Sequence, residues 1–311
     1  MRLFLSLVWI PLATMAAETK QAPAPASPPT SANVAYGTHE RQVLDFYKAE
    51  STRPAPLVFY IHGGGWVDGD KKKRTNFKGY LNAGISVVSI NYRYSWQAQL
   101  DGVTPPVKAP LEDAARALQF VRSKAAEWNI DKQRIGATGG SAGACSSLWL
   151  AMHDDMAVPD SEDPVAREST RLFCAAVSRG QTSLDPKELK EWTPNSRYGG
   201  HAFGFMDPGD IKSRDTRFAE FLSHREELLP FIREYSPIEH ATADDPPIYL
   251  FYTTPLVFGQ PDRDPTHTAN YGVKLHEKLA ALEVPCEFVY PGAADVKHQT
   301  AEAYLISLLK P

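Results

Sequence analysis

The chain has 311 residues, and 33 Lys+Arg against 37 Asp+Glu leave a formal net charge of −4. With 43% apolar and 23% charged residues, the composition is that of a globular protein, which excludes a disordered acidic protein and a basic nucleic-acid binder. No run approaches the ~20 apolar residues that span a bilayer, and three cysteines (Cys145, Cys174, Cys286) are too few for a disulfide scaffold and allow at most one bridge.

Residues 1–17 read as a secretory signal. Arg2 gives a positive start, Leu3 to Leu12 an apolar stretch, and Ala13, Ala16 and Ala17 small residues for cleavage. An N-terminal anchor is the alternative. Residues 18–35, with Pro23, Pro25, Pro28 and Pro29, have the composition of an extended linker. The folded part is expected to run from Tyr36 to the C-terminus, in an exported protein, periplasmic or extracellular.

From Tyr36 onward, strand and helix patterns alternate. Val43 to Tyr47 reads as a strand. Leu57 to Ile61 and Ile85 to Ile90 are short apolar runs, as in strands buried on both faces. Lys71-Lys72-Lys73 reads as a solvated helix start. Leu111, Ala114, Leu118, Val121, Ala125 and Trp128 recur at three- and four-residue steps, which predicts one helical face. Arg134 to Thr138 reads as a strand, and Ala144 to Met152 as a helix. Leu172 to Val177 and Ile248 to Tyr252 are further strands. A helix through Gly272, Leu275, Leu279 and Leu282 precedes a last strand, Cys286 to Tyr290, and a last helix, Ala301 to Leu309. The alternation predicts an α/β fold with a mostly parallel sheet covered on both sides. Residues 181–235 break this rhythm. They are polar with scattered aromatics and too long for a simple connection, so they read as an inserted cap or lid.

Two glycine motifs carry chemistry. Gly139-Gly140-Ser141-Ala142-Gly143 fits G-x-S-x-G and stands between a strand and a helix. A sharp turn there lifts the serine hydroxyl above the sheet, at a helix N-terminus that favours a developing negative charge. His62-Gly63-Gly64-Gly65-Trp66 also follows a buried strand. Three glycines in a row can aim backbone N–H groups at an oxyanion, and one such donor is worth about 3 kcal/mol. His62 is expected to brace this loop, and Trp66 is a candidate contact for substrate.

From residue 36 on, the chain resembles the α/β-hydrolase superfamily, in particular its hormone-sensitive-lipase-like and bacterial xylan/feruloyl-esterase-like branches. The likeness rests on His62 to Trp66 with Gly69-Asp70, Asn91-Tyr-Arg-Tyr94, Asp113, Trp128-Asn-Ile-Asp131, Arg134-Ile-Gly136, Gly139 to Gly143 and Ser236-Pro-Ile238. It implies oxyanion donors at Gly63, Gly64 and Ala142, and a bracing rather than catalytic role for Asp113. It also implies the order serine, acid, histidine. After Ile248 to Tyr252 the available acids are Asp262 and Asp264. The histidine position after the last strand is taken by Asp295, so His298, three residues on, is the expected base. His267, in the loop that should hold the acid, is the second candidate.

The expected activity is ester hydrolysis by Ser141 through an acyl-enzyme, on a small-molecule or polysaccharide-linked ester, without cofactor, metal or nucleic-acid partner. His153-Asp154-Asp155 reads as a helix end, not a ligand set. A hydrolase-fold binding protein without turnover, motivated by the displaced histidine, and a serine peptidase are the alternatives. The sequence leaves the oligomeric state open.

Overall fold

The computed structural model describes residues 28–74 and 76–310. The signal-like segment and the linker up to residue 27 lie outside the described residues.

Chain order begins β1 (Ser31–Ala35), β2 (Val43–Tyr47), β3 (Ala55–Ile61), α1 (Lys78–Asn82), β4 (Ser86–Ile90), α2 (Ser95–Leu100), α3 (Lys108–Ser123) and α4 (Ala125–Trp128). It continues β5 (Ile130–Gly140), α5 (Ala142–Met152), β6 (Cys174–Ser178), α6 (Pro186–Trp192), α7 (Phe218–Ser223), α8 (Arg225–Tyr235) and α9 (Pro237–His240). Then come β7 (Ile248–Phe251), α10 (Asn270–Ala281), β8 (Cys286–Val289) and α11 (Ala301–Leu309). The eight strands form one sheet in the order β1-β2-β4-β3-β5-β6-β7-β8. β1–β2 and β2–β4 pair antiparallel, and every other pair is parallel.

The apolar runs behave as their composition dictates. In β3, Leu57, Phe59 and Ile61 enter one core with residues of α3, α5 and α10, while Val58 enters the other with α1 and α11. Strand residues alternate between faces, so a run apolar at every position satisfies both layers. The long predicted helical face is split: α3 ends at Ser123, and α4 closes at Asn129, whose φ is 56°. Asp113, inside α3, accepts from Arg93 N, Nε and Nη2 and from Gln42 Nε2, so it ties the helix to the strand-end loops.

Two expectations need correction. The linker does not extend to residue 35. Its last five residues form the edge strand β1, with Val34 opposite Leu44 and Ala35 opposite Val43. Nor is Lys71 solvated. It is 1% exposed, and its Nζ meets Asp45 of β2 at 2.7 Å and Asn33 of β1 at 2.9 Å. A buried ammonium is tolerable only when paired in this way. All three cysteines are free thiols.

Residues 181–235, between β6 and β7, contribute α6, α7 and α8 with two single-turn 3₁₀ segments. Their aromatics largely pack on one another. Phe203 stacks on Phe221 at 5.1 Å, and Phe218 meets Phe221 edge-on at 6.2 Å.

Candidate active site

β5 runs into α5 through Ser141, which takes φ 56° and ψ −126°. This is a sparsely populated backbone region for a residue with a Cβ, and it survives because the surroundings fix it. Ser141 N–H donates to Ser178 O at 3.0 Å, and Cys145 N–H donates back to Ser141 O at 3.0 Å. A Cβ on Gly139 or on Gly143 would overlap backbone atoms, those of Ile61 in both cases. The G-x-S-x-G spacing is therefore a packing requirement as well as a turn.

The first glycine motif lies against this turn. A Cβ on Gly63 would stand 2.5 Å from Gly140 O and 3.4 Å from Ser141 Cβ. Gly63 and Gly64 keep part of their surface open, while Ala142 N begins α5. Gly63 thus lies against the serine turn, and Ala142 follows the serine directly in the chain. His62 braces the loop as expected: its Nδ1 bonds Gly63 O at 2.7 Å, and its ring stacks on Tyr92 at 4.2 Å. Trp66 does not present itself to substrate. It is wholly buried, and its Nε1–H donates to Ser146 Oγ of α5 at 3.0 Å, clamping the loop to the nucleophile helix.

Burial pushes the His62 imidazole down to about 4, against a smaller opposing effect of its bond to Gly63. The folded value lies below the unfolded value near 6.5, so the unfolded chain binds the extra proton between those limits. Stability from this group is complete above pH 6.5 and is lost as the pH falls toward 4. Between pH 7 and 4.5 the expected loss from His62 is about 2–3 kcal/mol. Urea unfolding of wild type and His62→Gln at the two pH values checks this. Equal pH dependence in both proteins would remove the claim.

The base position is where the structure departs furthest from expectation. Ser141 Oγ lies 2.9 Å from His267 Nε2. His267 Nδ1 in turn lies 2.9 Å from Asp264 Oδ2 and 3.0 Å from Oδ1. An ionised carboxylate only accepts, so the proton sits on Nδ1 and the Nε2 lone pair faces the serine hydroxyl. His298 is elsewhere. It follows the edge strand β8, its backbone N–H and Nδ1 meet Glu287 at 2.7 and 2.8 Å, and its carbonyl accepts from Tyr249 Oη. Asp295 is exposed in the same loop.

Asp262 and Asp264 take different places. Asp262 is buried, and its Oδ1 accepts from Asp264 N at 2.9 Å, so it shapes the turn that aims Asp264. Asp264 and His267 are linked across that turn, with His267 N–H donating to Asp264 O at 3.0 Å. The inserted region holds the turn from outside. Asn195 bonds the backbone of Asp262 in both directions, at 2.8 and 3.0 Å, and Gln181 Nε2 donates to Thr266 O at 2.6 Å. On the opposite side the same insertion covers the oxyanion loop, where the Arg214 guanidinium lies over Gly65, and Tyr198 and His201 pack on Trp66. Sequence reading gives the insertion but not these contacts. The Asp264-x-x-His267 spacing is the signal in the sequence for the acid–base pair.

Known proteins resemble this chain. The BD-FAE family model matches residues 44–279. The chain is 32% identical over 233 residues to a probable carboxylic ester hydrolase, LipM, of Mycobacterium tuberculosis, covering 71% of this chain and 46% of that protein. It is 30% identical over 142 residues to the versiconal hemiacetal acetate esterase of Dothistroma septosporum, covering 44% and 41%. It thus spans less than half the length of these curated relatives. Among solved structures, a truncated carbohydrate esterase from gut microbiota superposes with a TM-score of 0.63 at 23% identity, covering 86% of this chain and 89% of that one. Esterase 2 of Thermogutta terrifontis, phosphonylated by sarin, gives 0.63 at 21% identity, covering 88% and 91%. These likenesses place the fold among the α/β-hydrolases.

Proposed function

The chain belongs to the BD-FAE family, and we propose that it is an exported serine esterase that hydrolyses carboxylic esters through an acyl-enzyme. The observation that carries this reading is the continuous chain from Ser141 Oγ through His267 to Asp264, with spacings of 2.9 Å at both links. His267 Nε2 takes the hydroxyl proton as Ser141 Oγ attacks the carbonyl carbon. The oxyanion meets the N–H groups of Gly63, Gly64 and Ala142. His267 then returns its proton to the leaving alcohol, and water releases the acid by the same steps in reverse. Asp264 holds the Nδ1 tautomer and stabilises the imidazolium. The substrate class we favour is an acylated carbohydrate, in line with the carbohydrate esterase that shares the fold. The alternative, a binding protein without turnover, rests on the displaced histidine and the uncertain acid, and the contacts of His267 with Ser141 and Asp264 support the esterase reading over it.

A fluorophosphonate probe tests the reading, since it phosphonylates only an activated serine. The T. terrifontis esterase, which shares this fold, is phosphonylated by sarin. The expected result, read by intact mass on protein recovered from the exported fraction, is one probe adduct on Ser141 and a chain lacking residues 1–17. No adduct would favour the binding-protein reading, and retention of Met1 to Leu12 would favour an anchor.

A further inference from the structure

The far end of the nucleophile helix carries a second constellation. His153 caps the C-terminus of α5, Glu234 lies near the end of α8, and His240 ends α9. Sequence reading takes His153 only as a helix end, because its partners lie 81 and 87 positions away. Folding brings one ligand atom from each of the three within 4.8 Å of one another.

Backbone carbonyls hold both rings. His153 Nδ1 bonds Asp154 O at 2.9 Å, and His240 Nε2 bonds Glu234 O at 2.6 Å. A ring nitrogen facing a carbonyl carries a proton, so a metal ion would be met by the other nitrogen of each ring. Metal-binding histidines are held by the same device. His153 Nε2 lies 3.2 Å from Glu234 Oε1, a contact in which Nε2 carries a proton that a metal ion would displace. The two imidazole rings lie together, with centroids 4.7 Å apart. The support is stiff: Trp149 packs on the His153 ring at 4.6 Å and donates Nε1–H to Glu234 O at 2.8 Å.

We propose that His153, Glu234 and His240 bind one divalent transition-metal ion, zinc being the probe of choice. Two imidazoles and one carboxylate select such an ion over calcium or magnesium, which prefer oxygen ligands. Ligand–metal distances of about 2.0–2.2 Å in a tetrahedral site place ligand atoms about 3.3–3.6 Å apart, a closure that rotamer adjustment at a half-exposed site supplies. The ion would join the end of α5 to α8 and α9, where the inserted region returns to the sheet. Its effect is on the stability of that junction rather than on the chemistry at Ser141, at the opposite end of α5.

The test uses the full chain without a polyhistidine tag. Isothermal titration with Zn²⁺ is expected to show one saturable site, and zinc at 100 times Kd is expected to raise Tm by about 5 °C, reversed by chelator. Mg²⁺ should give no shift. His153→Ala and His240→Ala should each weaken binding at least tenfold, and His298→Ala should leave it unchanged. Co²⁺ should give a visible absorption band that zinc displaces. Should the alanine variants fail to fold, Glu234→Gln and the wild-type cobalt spectrum carry the test. The absence of saturable zinc binding, or binding indifferent to all three substitutions, overturns the proposal.

Discussion

Ser141→Ala is expected to lower kcat/KM on a simple aryl acetate by at least about 10³-fold, while the fold persists. The covalent route ends with the loss of Oγ, because this hydroxyl is the group that the Nε2 lone pair of His267 faces. What survives is the binding of the carbonyl by the N–H groups around Gly63 and Ala142, which still assists attack by water. Residual catalysis of this kind is characteristic of a site whose oxyanion donors remain in place. Unfolding by urea separates the two components: the midpoint should move little, since the substituted alanine keeps the same strained φ of 56° and the same backbone bonds to Ser178 and Cys145. Retention of more than a tenth of wild-type activity would remove Ser141 from the mechanism and return attention to a binding role.

The sheet is largely legible in the sequence because its strands are chemically extreme. β3 is apolar at every position, and nothing but a doubly covered strand tolerates that in so few residues. β1 escapes sequence reading for the opposite reason. Ser31-Ala-Asn-Val-Ala35 is mostly small or polar and largely exposed; it is held by backbone pairing to β2, which composition does not report. Lys71 misleads in a similar way. Its partner Asp45 lies 26 positions earlier on another strand, and a run of three lysines looks solvated until that strand is placed beside it. The two glycine motifs proposed to supply nucleophile and oxyanion donors are readable because their glycines are demanded by local overlap at Gly139, Gly143 and Gly63. The choice between His267 and His298 is not, because the serine and its histidine are 126 positions apart. Their meeting depends on how Asn195 and Gln181 of the insertion fold the turn around Asp264.

His267→Ala should therefore cost about as much as Ser141→Ala, at least about 10³-fold in kcat/KM, and the double variant should be little worse than either single one, since nucleophile and base act as a unit. Asp264→Asn should lose about 10²-fold or more: it keeps the shape of the turn but disturbs the tautomer that points the Nε2 lone pair at Ser141. The loss should be smaller than at His267, because the Asp264 side chain is 46% exposed and water can take over part of its role at Nδ1. His298→Ala is the discriminating control. Its imidazole is bound to Glu287, and its edge meets Tyr304 at 5.3 Å, so its removal should loosen the start of α11 by about 1 kcal/mol and leave kcat/KM within about twofold of wild type. The opposite pattern, an inactive His298 variant beside a nearly intact His267 variant, would require the β8–α11 loop to swing the histidine to the serine during turnover. That outcome would make the 2.9 Å contact between Ser141 and His267 a resting arrangement only. Steady-state kinetics on the four variants, with urea midpoints to correct for stability, distinguishes the two.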